Sequence, residues 1–353
     1  MQSSKLEKLL NNERANSFIC YNPQHVLISL LLSYHHDDDN FIYICNRYPA
    51  YNSLAHKINN NSEFVQKAFG IDDLGLRKKY KSRNIFKKIW KYFFYKRHLN
   101  NIFNKRNYVK PFTKSDIFMF HDGQFLSQYI LTHHDNIHLI EEGVGNYATQ
   151  KGDMLSVLKK IHGIYPPFGH NPRIQNIFVE NQDRLPKKLR PKGALFNKDR
   201  YFRNIPDELS EELIKIFLNQ KLLKDLNSNH SALLITQPFS EDYCISEQKK
   251  IEIYSEIVQK ISQNKRLYIK PHPREKTDYE SIASGKVKVL NRNFPIEIIN
   301  LFDQISFDIV VTLSSSSIDY LYNNNRTYKL GDIPDDDEKY FTNILKNLQK
   351  IDI

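Results

Sequence analysis

The sequence predicts a two-domain α/β protein, on three observations. Short apolar runs of strand length alternate with helical periods through both halves of the chain, the pattern of buried parallel strands joined by helices. Its 353 residues exceed one ordinary core and suit two domains of roughly 150 residues each. Between the halves, Arg184 to Pro206 is basic, dotted with proline and irregular. The domains are therefore expected at 1–190 and 207–353.

Element by element, Ser17 to Tyr21 reads as a short strand and Asn22-Pro23-Gln24 as the turn that opens a helix over His25 to Tyr34. Strands are expected at Phe41 to Cys45, Asp116 to Phe120, Ile137 to Ile140 and Ile174 to Val179. Helical stretches at Glu63 to Ala68 and Gln124 to Leu131 lie between some of them. Helical pattern resumes at Asp207 to Leu226. A second series follows: strand Ala232 to Thr236, helix Ser246 to Gln263, strands Arg266 to Lys270 and Lys286 to Leu290, helix Pro295 to Leu301, and strand Ile309 to Leu313. A helix continues through Ile318 to Leu321.

Composition narrows the class. Hydrophobic residues at 40% and charged residues at 26% exclude a wholly disordered chain, and 11 glycines exclude a collagenous one. The longest apolar run, Val26 to Leu32, is far shorter than the roughly 20 residues that span a bilayer. The start of the chain lacks the apolar core of a signal peptide, and three cysteines without metal spacing suit a reduced compartment. A cytoplasmic protein is expected. No GxGxxG follows the first strand and no GxxxxGK[ST] occurs, which weakens dinucleotide oxidoreductases and P-loop NTPases.

The net charge of +11 belongs to one segment. Arg77 to Lys110 holds 13 Lys or Arg and no acid, and without it 38 basic residues face 40 acidic ones. Ile85, Phe86, Ile89, Trp90 and Phe93 recur there at helical spacing. Such a helix suits packing on its own domain, an anionic membrane surface or an acidic glycan. No nucleic-acid motif accompanies it, so no nucleic-acid partner is expected.

Four constellations carry chemistry. Glu141-Glu142-Gly143-Val144-Gly145 follows a strand directly, where loops line the ligand crevice of open α/β sheets. A carboxylate beside glycines suits a general base, and a solvated acidic turn would look the same. Lys270-Pro271-His272-Pro273-Arg274 follows another strand, and each proline holds the residue before it extended. Protonated His272, with Lys270 and Arg274 nearby, would stabilise a leaving phosphate. Ser314 to Ser317 at a helix start suit a phosphate seat or a helix cap. In Phe294-Pro295-Ile296-Glu297 the glutamate suits either the helix dipole or a ribose.

Taken together, these motifs resemble the bacterial sialyltransferases, in particular the lipooligosaccharide sialyltransferase and capsular polysialyltransferase group. Their D/E-D/E-G, HP and S/T motifs correspond to Glu141-Glu142-Gly143, His272-Pro273 and Ser314 to Ser317. Cys20-Tyr21-Asn22-Pro23-Gln24-His25 is similar to the group's strand and helix opening, and Thr236-Gln237-Pro238-Phe239 has the same form. The resemblance runs from about residue 17 to residue 321, without a match for the basic insert. It implies a GT-B fold, with two Rossmann-like domains facing a central cleft. It also implies an inverting transfer of sialic acid from CMP-sialic acid to a galactosyl or sialyl terminus of lipooligosaccharide or capsule, with no metal or other cofactor. Glu141 would be the base, with Glu142 as the alternative. Lys270, His272, Pro273, Glu297, Ser314, Ser315 and Ser316 would hold CMP, and Asn22, Gln24, Gly143 and Gln237 would line the acceptor side. The basic insert would suit polyanionic sialylated acceptors or peripheral contact with the inner membrane face. The rival reading is a capsule or teichoic-acid-type GT-B transferase using CDP-glycerol or a UDP-sugar. A membrane-surface scaffold with a degenerate cleft is a third.

Overall fold

The computed structural model describes residues 4–35, 39–46, 50–75, 112, 114–148, 165–218, 226, 230–242, 244–302, 305–322, 326–331 and 337–351. The basic stretch Arg77 to Lys110 lies outside them. The chain divides into two compact units, Met1–Tyr201 and Phe202–Ile353. Among the described residues no helix is long and apolar enough to cross a membrane.

The first unit is built on a seven-stranded sheet of β1 (Ala15–Cys20), β2 (Asn40–Cys45), β3 (Lys67–Ile71), β4 (Ser115–Met119), β5 (Ile137–Ile140), β6 (Ile174–Val179) and β7 (Gly193–Leu195). Every pairing is parallel and the order is β3-β2-β1-β4-β5-β6-β7. The central strands are buried along nearly their whole length, as parallel strands covered on both faces must be. Phe18 of β1 stacks on Phe118 of β4 at 5.4 Å, locking the middle of the sheet.

Four helices of this unit follow from local signals. Helix α1 (Lys5–Leu10) opens on a Ser4–Glu7 capping box. In α2 (Pro23–Tyr34) Asn22 caps the first turn and Pro23 supplies its fixed φ. That helix packs on β1 and β2 and is buried from Val26 to Leu32, which accounts for the longest apolar run without a membrane. Helix α3 (Tyr51–Asn61) buries Leu54, Ala55 and Ile58, and α4 (Phe125–His133) follows β4.

The second unit repeats the scheme with five parallel strands: β8 (Ser231–Ile235), β9 (Arg266–Lys270), β10 (Val287–Val289), β11 (Ile309–Thr312) and β12 (Arg326–Lys329), in the order β10-β9-β8-β11-β12. Helices α5 (Lys198–Arg203) and α6 (Asp207–Phe217) lead into it. Helix α7 (Glu247–Ser262) packs against β9 and against α8 (Asp337–Gln349). Ile253, Tyr254, Ile257 and Ile261 form the buried face of α7.

The structure departs from expectation in four places. The helix expected over Glu63 to Ala68 is absent, and strand β3 begins at Lys67. The connection Arg184 to Pro206 contains β7, which joins the first sheet, and α5. The helices expected at Pro295 to Leu301 and from Ile318 are 3₁₀ turns, Ile296–Leu301 and Ser316–Tyr320. The helical pattern over Asp207 to Leu226 forms α6 only to Phe217, and residues 219–225 lie outside those described.

Candidate active site

In both sheets the chain reverses direction of winding at one point, between β1 and β4 in the first unit and between β8 and β11 in the second. Ligands of open parallel sheets bind at such switch points, beyond the carboxyl ends of the strands. The chemically marked loops of the sequence sit at or beside these two places.

In the first unit the first turn of α2 and the loops after β4 and β5 bring His25, His121 and Glu142 together. Glu142 Oε1 lies 3.9 Å from His25 Nε2, and Oε2 lies 4.0 Å from His121 Nε2. Neither distance is a direct hydrogen bond. His121 Nδ1 accepts the Gly123 N–H at 2.9 Å, so the neutral ring carries its proton on the nitrogen that faces Glu142. His25 is buried, stacked on Phe120 at 4.2 Å, and contacts the Tyr21 N–H and the Asn22 amide. Burial first, then His121 and Lys198, lower its pKa well below the ordinary value, so it is uncharged at neutral pH.

The two adjacent glutamates point different ways. Glu141 is 5% exposed, whereas the Glu142 side chain is 31% exposed. Glu141 Oε2 accepts from Tyr147 Oη at 2.5 Å and from the Glu180 N–H at 2.8 Å, and Oε1 lies 3.9 Å from the buried Lys198 Nζ. It therefore acts as an internal strut between β5, β6 and α5. The Asn146 amide oxygen accepts the N–H groups of Glu142 at 3.1 Å and Gly143 at 3.3 Å, fixing the loop that presents Glu142. A Cβ added at Gly143 would meet nothing within 4 Å, so the backbone beside Glu142 borders open space. Asn22 is occupied as the cap of α2, its Oδ1 accepting the His25 N–H at 2.9 Å. Gln24, in the first turn of α2, is partly exposed.

In the second unit the His272 loop after β9 is held from beneath. Glu275 is 2% exposed and accepts from the His272 N–H at 2.6 Å, from Tyr279 Oη at 2.6 Å and from Thr236 Oγ1. The fully buried Lys250 bridges Glu275 at 2.8 Å and Glu241 at 2.9 Å. Burial pushes the Glu241 carboxyl up, but hydrogen bonds from Lys250 and the Lys276 N–H outweigh it and hold it down to about 2. His272 Nδ1 accepts the Arg274 N–H at 3.2 Å, which leaves the proton of the neutral ring on Nε2.

These surroundings correct the expected charge of His272. Burial, then Arg274, Lys270 and Lys250, push its pKa down to about 3, so the imidazole is neutral at pH 7 and its one ring proton sits on Nε2. Lys270 likewise is no free phosphate ligand. It is 4% exposed, donates to the carbonyls of Pro271 at 2.9 Å and Arg292 at 3.2 Å, and lies 4.7 Å above the Phe294 ring. Burial lowers its pKa to about 7, against the pull of Glu297 and Glu275. Glu297 is itself 2% exposed and interacts electrostatically with Lys270, so the side chain expected at a ribose lies inside the unit. Arg274 is engaged at the surface in a bidentate pair with Asp242, at 2.6 and 2.9 Å.

The serine cluster divides by role. Ser315 caps the 3₁₀ turn, its Oγ accepting the Ser317 N–H at 3.3 Å, and its own N–H is donated to Thr312 Oγ1 at 3.2 Å. Ser314 is partly exposed and Ser316 exposed after β11, while Pro273 and Gln237 are partly exposed after β9 and β8. The Gln237 N–H is donated to Tyr254 Oη at 2.8 Å.

Acid lability follows for the second unit. A histidine whose folded pKa is about 3 binds fewer protons than its unfolded form, so its contribution is full above pH 6.5 and is lost as pH falls toward 3. Glu241, depressed to about 2, loses its contribution as pH falls from about 4.5. Thermal midpoints measured from pH 7 to pH 3 are expected to fall, less steeply in His272→Gln. An equal slope in that variant would contradict the placement of His272.

Residues to which sequence reasoning gave no role in the site include His25, His121 and Asn146 in the first unit, and Lys250 and Glu275 in the second. His121 was findable, because it stands two residues beyond β4, whose carboxyl end faces the switch point.

Comparison with known proteins accords with this architecture. The model of glycosyltransferase family 52 matches residues 36–330. An uncharacterized protein of Haemophilus influenzae is 36% identical over 180 residues, and the match covers 51% of this chain and 57% of that protein. The chain thus aligns with little more than half of that relative. The UDP-GlcNAc 2-epimerase of Methanocaldococcus jannaschii, solved with UDP-GlcNAc and UDP, superposes with a TM-score of 0.50 at 13% identity, over 96% of this chain and 93% of that one. S. aureus MnaA, solved with UDP, gives 0.51 at 9% identity, over 96% and 89%. At such identities the likeness is one of fold, and the fold is GT-B.

Proposed function

The chain belongs to glycosyltransferase family 52, whose signature covers most of its length, and from that premise we propose that it transfers sialic acid from CMP-sialic acid to a hydroxyl of a bacterial surface glycan. The observation that carries the reading is Glu142, an accessible carboxylate at the switch point of the first sheet, held by Asn146 and faced by two histidines. The HP and serine motifs after β9 and β11 support CMP as the leaving group.

In this reading Glu142 takes the proton of the acceptor hydroxyl as its oxygen attacks the anomeric carbon. The bond from that carbon to the CMP phosphate oxygen breaks, and attack opposite the leaving group inverts the centre. His272 Nε2–H donates to the phosphate. A neutral donor suffices at the start, and the growing negative charge on CMP raises the affinity of the imidazole for a second proton. Ser314 and Ser316 add hydroxyls beside the phosphate. Glu141, Lys270 and Glu297 hold the loops that carry these groups. CMP leaves as a monophosphate ester, so the reading needs no divalent ion.

The test is acceptor-dependent release of CMP from CMP-sialic acid by purified protein in EDTA, against galactosyl and sialyl acceptors. Release that persists in EDTA and falls about 100- to 1,000-fold in His272→Ala is expected, the range for losing a preorganised donor to a developing anion. Turnover of CDP-glycerol or a UDP-sugar in place of CMP-sialic acid would transfer the protein to the rival donor class.

A further inference from the structure

Asp122, the residue after His121, lies beside the site without contributing to the chemistry above. Its carboxylate is 1% exposed and accepts two backbone N–H bonds, from Phe168 at 2.5 Å and from Gly169 at 2.9 Å. Lys192 completes the anchor, donating from Nζ to the carbonyls of Gly169 at 3.3 Å and Asn171 at 2.8 Å.

What this anchor holds is an unfavourable backbone. Phe168 has φ 67°, a left-handed conformation that is an outlier for a bulky side chain and persists only where its surroundings enforce it. Gly169 follows with φ 96°, and a Cβ there would come 2.4 Å from the Ile177 side chain, so glycine is required at the second position. The enforced conformation does not send the Phe168 ring into the core, for the residue stays partly exposed. The ring instead lies against the loop of the candidate base. Its centroid is 5.2 Å from that of His121, the histidine facing Glu142, and a Cβ added at Gly145 would come within 2.8 Å of Phe168 Cζ.

A strained backbone, a buried carboxylate and a lysine contact thus combine to keep one aromatic ring partly exposed beside His121 and the loop that carries Glu142. We propose that Phe168 is the platform on which the terminal pyranose of the acceptor glycan stacks, and that Asp122 is the positioning residue that holds it there. This rests on the glycosyl-transfer reading and names a subsite of it. A pyranose presents weakly positive C–H bonds on one face, which an aromatic π-face attracts. Stacking there fixes the plane of the sugar, and orientation of its hydroxyl at the neighbouring carboxylate then requires little further ordering.

The experiment measures binding of lactose and sialyllactose by saturation-transfer NMR without donor, in wild type, Phe168→Ala, Phe168→Tyr, Gly145→Ala and Asp122→Asn, with melting temperatures alongside. Phe168→Ala is expected to weaken sugar binding about tenfold and Phe168→Tyr to retain it, as stacking requires. Gly145→Ala, whose new methyl displaces the ring, is expected to weaken it at an unchanged melting temperature. Asp122→Asn is expected to follow Phe168→Ala, with an unchanged KM for CMP-sialic acid. Wild-type binding in Phe168→Ala, or equal losses for sugar and donor, would overturn the platform, as would no binding of either sugar by wild type. Phe168-dependent sugar binding by a protein that leaves CMP-sialic acid untouched would uphold the platform and sink the donor assignment.

Discussion

Replacement of Glu142 by glutamine is expected to lower kcat for transfer about 100- to 10,000-fold, the contribution of a positioned general base, while the melting temperature stays within a degree or two of wild type. The second half of that expectation follows from exposure. The Glu142 side chain is 31% exposed and its histidine contacts are 3.9 and 4.0 Å, so little folding energy depends on its charge. The backbone that carries it is held by Asn146, which glutamine leaves untouched.

Glu141→Gln is expected to behave the other way round. Its carboxylate takes hydrogen bonds from Tyr147 and Glu180 and faces Lys198, so weakening them costs about 1–3 kcal/mol of stability. The activity that survives at low temperature should remain well above that of Glu142→Gln. The two variants therefore separate base from strut by comparing kcat with melting temperature. A collapse of kcat in Glu141→Gln at an unaltered melting temperature, with Glu142→Gln active, would return the base to the first carboxylate of the pair, where the family resemblance places it.

The choice between these neighbours shows where sequence reading runs out. That a carboxylate pair stands at the carboxyl end of a parallel strand is legible from Ile137-His138-Leu139-Ile140 followed by Glu141-Glu142-Gly143. Which of the two turns outward depends on Tyr147, Glu180 and Lys198, and the last two reach Glu141 from distant stretches of the chain. Central strands such as β8 and β11 are legible for a physical reason as well, since burial on both faces favours a continuous run of apolar residues such as Ala-Leu-Leu-Ile and Ile-Val-Val. Edge strands escape that demand. In β3 a lysine opens the strand and a glycine interrupts it, and β12 reads Arg-Thr-Tyr-Lys, so neither shows a period. The turns at Ile296 and Ser316 carry helical spacing over only six and five residues, and so short a stretch does not distinguish a 3₁₀ turn from an α-helix.

The buried charge network beneath His272 was illegible for the same reason as the glutamate orientation, and it supports the largest expected effect on stability. Lys250 has 0% of its side chain exposed and joins Glu241 to Glu275, which is also 0% exposed at its side chain. Methionine matches the length of the lysine stem but leaves the Glu275 carboxylate buried without its cation. Removing one partner of a buried pair costs about 3–5 kcal/mol. In a unit of this size that lowers the melting temperature by roughly 6–20 °C. Because Glu275 also accepts the His272 N–H, Lys250→Met is expected to reduce kcat as well. The Arg274–Asp242 pair makes the contrast, since both side chains are 40% exposed and Asp242→Asn is expected to cost about 0–1 kcal/mol. The decisive variant is Lys250→Met with Glu275→Gln. Its amide oxygen still accepts from His272, and it carries no charge to strand, so the double variant is expected to melt above Lys250→Met alone. The coupling in that double-mutant cycle measures the buried charge itself. Equal melting of the single and double variants would assign the loss to packing of the lysine stem and remove the network as the support of the His272 loop.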